Sequence, residues 1–142
     1  MPRRQVVVFT LGSDAFAFDI HWVREIIVMQ EITQIPNAPE HVEGVIELRG
    51  QVIPVIDLPR RLGKRRRHTQ QDRILVLVFD GWEVGLLVDE VADVSFVNSD
   101  MVESPSEGVP PACAPYIEGA FRGEAGPVYL LDAAKAISGM QG

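Results

Sequence analysis

A chain of 142 residues, of which 46% are hydrophobic, has the length of a single domain and can build one core, or two small cores that share a wall. Its formal charge of -7 gives it no general attraction to the phosphates of nucleic acids or to anionic lipids. The only cysteine, Cys113, excludes an intramolecular disulfide and cysteine-rich zinc sites, so we expect it to be a packing residue.

The N-terminal residues place two arginines before an apolar run from Val6 to Leu11, which ends at Gly12. This run is too short for an export signal, and no window of the chain approaches the roughly 18 to 20 apolar residues that cross a bilayer. These observations lead us to expect a cytoplasmic protein without direct membrane insertion.

Runs of β-branched and aromatic residues, bounded by Gly, Asp, Asn or Pro, predict strands along most of the chain. Helix signals are few, and the two clearest are short segments that follow the capping residues Asp57 and Asp132. The pattern predicts an all-β protein with short helices. The predicted strands are Val6 to Leu11, Ala15 to Ile20, Val42 to Leu48, Gln51 to Ile56, Arg73 to Phe79, Glu83 to Val88, Val91 to Val97 and Gly126 to Leu131, with weaker signals over Trp22 to Met29 and Gln30 to Gln34.

An internal repeat divides the chain into two similar units. With a shift of 68 positions, the segment that begins at Gln5 lies over the one that begins at Arg73, and with a shift of 75 positions Val42 lies over Ile117. The extra residues of the second unit fall in the connector Asn98 to Pro115, whose Ser, Pro and Glu residues indicate a loop. Because each unit is small, we expect the two to share apolar surface.

The segment from Val52 to Ile56 is continuously apolar, so we expect this strand to be covered on both faces. Pro54 lacks the backbone N–H of a ladder hydrogen bond, which indicates an edge or a bulge. Together these features predict a strand at the seam between the two units, with an irregularity that leaves part of the seam open.

Arg49 and Gly50 stand where a two-residue hairpin turn joins two strands, and Gly50 supplies the positive φ that such turns need. A scaffold holds a side chain firmly at such a turn. Arg49 is therefore predicted to present a fixed guanidinium, suited to a carboxylate on this protein or on a partner. Glu25 is the candidate internal partner, and an ordinary surface arginine is the alternative.

The sequence lacks the residue patterns of catalysis and metal binding. His21, His41 and His68 are scattered, neither a phosphate-binding glycine loop nor a nucleophile elbow is present, and Cys113 lies in a proline-broken loop. We therefore predict no catalytic residue, no metal site and no cofactor.

Two charged clusters support alternative functions. Asp89, Glu90 and Asp93 are close enough for acid–base chemistry, but their spacing among valines is typical of solvated strand positions. Lys64 to Arg67 form the one concentrated basic patch, which makes a β-barrel nucleic-acid-binding protein the alternative function. No aromatic residues lie between these cations for base stacking, so we expect a solvated linker and no nucleic-acid partner.

Five segments of the chain resemble, in order and spacing, the chemotaxis coupling (adaptor) protein CheW family. They cover essentially the whole chain, and the core from Gly44 to Leu58 is the most specific of them. The family usually carries Asn where this chain has Glu47. The segments are FTLG at Phe9, FAFDI with VREI at Phe16 to Ile26, GVIELRGQVIPVIDLPRRLG at Gly44, VGLLVDEV at Val84, and the closing IEG with VYLLD.

The resemblance implies a fold of two intertwined five-stranded SH3-like β-barrels that share an apolar core, and it implies no enzymatic activity. We expect one domain over residues 1–142, with approximate sub-barrels at 14–72 and 73–138 and with the strand at 5–12 joined to the second.

Members of this family link the cytoplasmic tips of methyl-accepting chemotaxis receptors to the regulatory domain of the histidine kinase CheA. By that similarity we expect the chain to be recruited to membrane-associated receptor arrays. The residues that the resemblance implies are Val23, Glu25 and Gly44 for the kinase-facing surface, and Arg49, Gly50 and Val52 for the receptor-facing groove.

Overall fold

The fold of this computed structural model is two five-stranded sheets with short helices, which confirms the predicted all-β class. The structure describes residues 3–39, 41–65, 69–104 and 109–138. No helix in these ranges is long and apolar enough to span a bilayer. The elements are β1 (Arg3–Leu11), β2 (Asp14–Asp19), β3 (Val23–Val28), β4 (Val42–Leu48), β5 (Gln51–Asp57), α1 (Leu58–Arg61), β6 (Arg73–Phe79), β7 (Trp82–Val88), β8 (Glu90–Asn98), β9 (Ile117–Gly123), β10 (Gly126–Leu131) and α2 (Ala133–Ala136).

One strand prediction was wrong, and one strand was missed. The weak signal at Gln30 to Gln34 yields only an isolated bridge between Thr33 and Val45, and Ile117–Gly123 forms a strand that residue preferences did not predict. Glycine, glutamate and arginine dominate this strand, but the repeat had already placed it over β4.

The strand order confirms the internal repeat. Sheet 1 has the order β8-β1-β2-β10-β9, and sheet 2 has the order β3-β6-β7-β5-β4. Strands β1 to β5 of the first repeat correspond in turn to β6 to β10 of the second. Exchanging every strand for its counterpart converts the order of sheet 1 into the order of sheet 2. Each sheet therefore forms a barrel of the same design.

The expected division of the sub-barrels at residues 72 and 73 does not separate the two sheets. β2, expected in the first unit, pairs with β10 in sheet 1, and β6 and β7, expected in the second, pair with β3 and β5 in sheet 2. The strand at 5–12 lies in sheet 1, beside β8. The first two strands of each repeat, which pair with each other as an antiparallel hairpin, thus lie in the sheet that contains the other strands of the opposite repeat.

The apolar core consists of one cluster that both barrels share and one smaller cluster inside each barrel. The shared part contains the rings of Phe9, Phe16 and Phe18, with centroid distances of 6.2 Å and 5.6 Å from Phe9 to the other two. It also takes in the short helices and the buried thiol of Cys113, which confirms the packing role predicted for this cysteine. The smaller clusters include Val6, Ala17, Val128 and Leu130 in the barrel of sheet 1, and Ile53, Val55, Ile74 and Val76 in the barrel of sheet 2.

The segment that connects β3 to β4 closes over Gly44. Thr33 and Val45 exchange two backbone hydrogen bonds, each 2.9 Å long, across a bulge that interrupts β4 between Val42 and Gly44. A Cβ atom on Gly44 would lie 2.2 Å from the carbonyl oxygen of Thr33. This crossing therefore requires glycine.

We expect Gly44→Ala to lower the free energy of unfolding by about 2 to 3 kcal/mol, because the added methyl group meets backbone that cannot move aside freely. Gly12→Ala is the matched control: Gly12 has a φ of +64° but open space at its Cβ position, so about 1 kcal/mol is expected. Urea titration of both variants measures the difference. Equal losses would contradict the close approach at Gly44.

Candidate functional site

The turn between β4 and β5 has the predicted two-residue form. Leu48 and Gln51 pair across it, and the two turn residues, Arg49 and Gly50, have φ values of 51° and 78°. Two positive values define a type I′ turn, whose twist matches that of the strands it joins. The positive φ of Arg49 was not predicted, and it fixes the direction in which this side chain leaves the backbone.

Arg49 pairs with the predicted partner, Glu25. Its guanidinium donates a hydrogen bond to the Glu25 carboxylate on β3, and its second terminal nitrogen lies 3.8 Å from Glu83 on β7. Glu83 also forms an ion pair with Arg24, with 3.2 Å between a guanidinium nitrogen and a carboxylate oxygen. These four side chains, which we call the ionic cluster, join β3, β7 and the hairpin turn at one end of sheet 2.

A β-bulge on β3 explains why Arg24 and Glu25 both reach the ionic cluster. Neighbouring residues of a regular strand point to opposite faces, but the register of β3 against β6 shifts between Val23 and Glu25, with Arg24 as the extra residue. The bulge therefore turns two consecutive charged side chains toward the same end of the barrel.

Arg49 is held in its charged form. The hydrogen bond to Glu25 is the largest effect and raises the pKa of the Arg49 guanidinium; desolvation opposes it, and the negative charges of Glu25 and Glu83 raise the pKa further. About half of the side chain remains exposed, at 48%. The guanidinium is thus oriented by internal carboxylates while donors stay accessible to a partner.

A groove of about 260 Å³ opens beside the turn, between the first residues of β5 and β7. These strands run parallel but pair only from Val55 and Gly85 onward, just after Pro54, which has no N–H to donate. The predicted open irregularity therefore lies where the two strands diverge.

Apolar side chains flank this groove. Val52 is 68% exposed, so the expectation that the run from Val52 to Ile56 is covered on both faces is wrong at its first residue, and Trp82 is 51% exposed. Trp82 was not predicted as a site residue. The signal in the sequence was an aromatic residue directly after the Asp80-Gly81 turn. Like Arg49 and Gly50, both residues of this turn have a positive φ. The groove is lined by Gln51, Val52, Ile53, Pro54, Gly81, Trp82, Glu83 and Val84.

The residues expected on the kinase-facing surface lie in different environments. Val23 begins β3 half-buried against the shared core, and Glu25 is engaged by Arg49. Gly44 is buried beneath Thr33 and offers no accessible side-chain surface. The structure therefore joins Glu25 to the residues expected on the other surface, through Arg49, and leaves Gly44 as a residue that shapes the backbone.

Two members of the acidic cluster at the start of β8, Asp89 and Asp93, have structural partners. Asp89 accepts a hydrogen bond of 2.6 Å from the backbone N–H of Gly12, and Asp93 accepts bonds from the backbone N–H of Val94 and the hydroxyl of Ser95. In the part of the chain that the structure describes, no three His, Cys, Asp or Glu side chains are grouped as metal ligands. Burial raises the pKa of the Cys113 thiol, which disfavours the nucleophilic thiolate.

The basic segment Lys64 to Arg67 lies only partly within the described residues, since 66–68 fall outside them. Lys64 is turned back onto the barrel of sheet 1, where it pairs with Asp14 and lies 5.8 Å from the ring centroid of Phe16. The positive charge of Lys64 is therefore engaged in contacts within the protein.

Comparison with known proteins gives one consistent result. Residues 5–140 match the family model of the CheW-like domain. Chemotaxis protein CheW of Treponema pallidum is 33% identical over 94% of this chain and 82% of its own length, and Chemotaxis protein CheW of Bacillus subtilis is 37% identical over 74% and 68%.

Among solved structures, the crystal structure of the scaffolding protein TtCheW from Thermoanaerobacter tengcongensis superposes with a TM-score of 0.84. The two sequences are 32% identical, over 93% of this chain and 86% of the other. Scaffolding is not an enzymatic activity, in agreement with the lack of catalytic patterns in the sequence. This two-barrel chain, with its oriented arginine beside an apolar groove, belongs to the CheW-like domain family of chemotaxis scaffold proteins.

Proposed function

We propose that this protein is a non-enzymatic adaptor that couples methyl-accepting chemotaxis receptors to the histidine kinase CheA. The observation that carries the proposal is the placement of Arg49, fixed on a type I′ turn and accessible beside an apolar groove, on a member of this family. An adaptor needs rigid surfaces that bind two partners at once, and the exchanged strands supply such a body. We place it in the cytoplasm, recruited to receptor arrays.

The receptor-facing surface is proposed to comprise Arg49, Gly50 and Val52, extended by Trp82. The cytoplasmic tip of a receptor is expected to be helical, and a helix laid in an apolar groove is a recurrent mode of recognition. Val52 and Trp82 supply exposed apolar area, and Arg49 supplies charged donors at one end of the groove. Gly50 contributes the backbone conformation that the turn needs.

The kinase-facing surface is proposed to lie along β3, with Val23 and Glu25 as contacts. Gly44 acts indirectly, because it allows the segment around Thr33 to close over β4. Neither surface needs to be large, since transient signalling contacts often bury less than ~1,200 Å² in total. In an array, many weak contacts of this kind reinforce one another.

The test is a paired binding assay with a receptor cytoplasmic fragment and the regulatory domain of CheA. Wild-type protein is expected to bind both, and Arg49→Ala is expected to weaken receptor binding by about tenfold and kinase binding by a smaller factor, since it removes the hydrogen bond that orients Glu25. Isothermal titration with each partner measures both constants.

The thermal melt of Arg49→Ala is the control for folding. The side chain is half exposed and its ion pairs are screened by solvent, so the melting midpoint is expected to stay close to that of the wild type. An unfolded Arg49→Ala protein would make this arginine a structural residue, and failure of the wild type to bind either partner would remove the proposed function.

The groove itself is tested by Val52→Asp and Trp82→Ala. Both side chains are largely exposed, so stability is expected to change by no more than about 0.5 kcal/mol, while receptor binding weakens by about tenfold or more. Met101→Ala is the matched control, because Met101 is also an exposed large apolar residue but lies on the other barrel. Retention of receptor binding in both groove variants, or an equal loss in Met101→Ala, would contradict the assignment.

A further inference from the structure

Glu83 is the least exposed member of the ionic cluster. Its side chain is 17% exposed, against 48% for Arg49 and 51% for Arg24. One carboxylate oxygen lies 3.2 Å from Arg24, and the other lies 3.8 Å from Arg49. Glu83 therefore stands between two cations that belong to two different elements, β3 and the β4–β5 turn.

The second carboxylate oxygen of Glu83 is buried and accepts no hydrogen bond from the described residues. A buried acceptor without a donor is unfavourable, and Arg49 carries donors that a small movement would bring within range. The contact between Glu83 and Arg49 is thus poised to tighten or loosen as the Arg49 side chain shifts.

Charge alternates along the cluster in the order Arg24, Glu83, Arg49, Glu25. Among the described residues, removing the Glu83 charge would leave Arg24 without an ion-pair partner and Arg49 with Glu25 alone. Because Glu83 is the most buried member, its interactions are screened least by solvent and salt.

We propose that Glu83 is a positioning residue shared by both docking surfaces: it holds Arg49 for the receptor and Arg24, on the bulge of β3, for the kinase. This inference rests on the proposed function. It assigns the two surfaces a common counterion, so the receptor-facing and kinase-facing sides form one electrostatic unit at the end of sheet 2.

The test compares Glu83→Gln with Glu124→Gln. Glutamine keeps the size of the side chain and removes the charge, and Glu124 provides the same change in the β9–β10 turn, at the position that the repeat aligns with Arg49. Dissociation constants for the receptor fragment and for the kinase regulatory domain are measured separately, at ~50 mM and ~500 mM salt.

Glu83→Gln is expected to weaken binding of both partners by about three- to tenfold at ~50 mM salt, with most of this effect retained at ~500 mM salt because the Glu83 side chain is little exposed, whereas Glu124→Gln changes neither. In kinase binding, Arg24→Gln and Glu83→Gln are expected to be non-additive, since each removes the same ion pair. An effect on one partner only, on neither, or additivity of the two substitutions would overturn the proposal.

A direct readout separates positioning from general stability. The side-chain Nε–H resonances of Arg24 and Arg49 in nuclear magnetic resonance spectra are expected to shift in Glu83→Gln, while backbone amides of sheet 1 stay in place. Unchanged arginine resonances would overturn the proposal even if the wild type bound neither partner.

Glu83→Asp is the second variant, for the case that Glu83→Gln fails to fold. Aspartate keeps the charge on a shorter side chain, so a smaller change of the same resonances is expected. No change would count against the proposal.

Discussion

The shared core closes only because each barrel takes a hairpin from the other half of the chain. β1 and β2 carry Phe9, Phe16 and Phe18 into sheet 1 beside strands of the second repeat, while β6 and β7 complete sheet 2 beside strands of the first. Neither sheet is built from one repeat alone, and a unit of that size is marginal by itself. The exchange therefore converts two small units into one interlocked body.

This interlocking determines the geometry of the site. The groove lies where β5, from the first repeat, meets the exchanged strand β7, so its two walls exist only after the exchange. The ionic cluster likewise joins β3 and the β4–β5 turn to Glu83 on β7. Partners that bind here contact residues of both repeats, and a rigid connection between the repeats is what keeps the surfaces in a fixed relation.

Local chemistry made part of this structure predictable from the sequence. Asp57 and Asp132 accept hydrogen bonds from the backbone N–H groups of Arg60 and Lys135, as their capping positions predicted. The Arg49-Gly50 turn also followed from residue types, whereas the pairing of Arg49 with Glu25, 24 residues away, was only one of two alternatives that the sequence left open. Such features depend on few neighbours, so a short segment contains the information that sets them.

The features that the sequence did not reveal depend on distant partners. Strand periodicity shows which face of a strand is buried but not which strand it pairs with, so β2 was expected in the wrong unit. The family resemblance implied Gly44 as a residue of the kinase-facing surface, and nothing local in the sequence indicated that Thr33 would cover it. Trp82 and Glu83 were missed as site residues because only the divergence of β5 from β7 gives them a groove to line.

Native-state hydrogen exchange is the most direct measurement of the interlocked body. Exchange rates of the slowest backbone amides in β1, an interior strand of sheet 1, and in β6, its counterpart in sheet 2, report the free energy of opening each barrel. An interlocked body predicts the same opening free energy in both strands, equal to that of global unfolding. Opening of one sheet at a free energy lower by more than about 1 kcal/mol would contradict it, since that barrel would then unfold while the other remained intact.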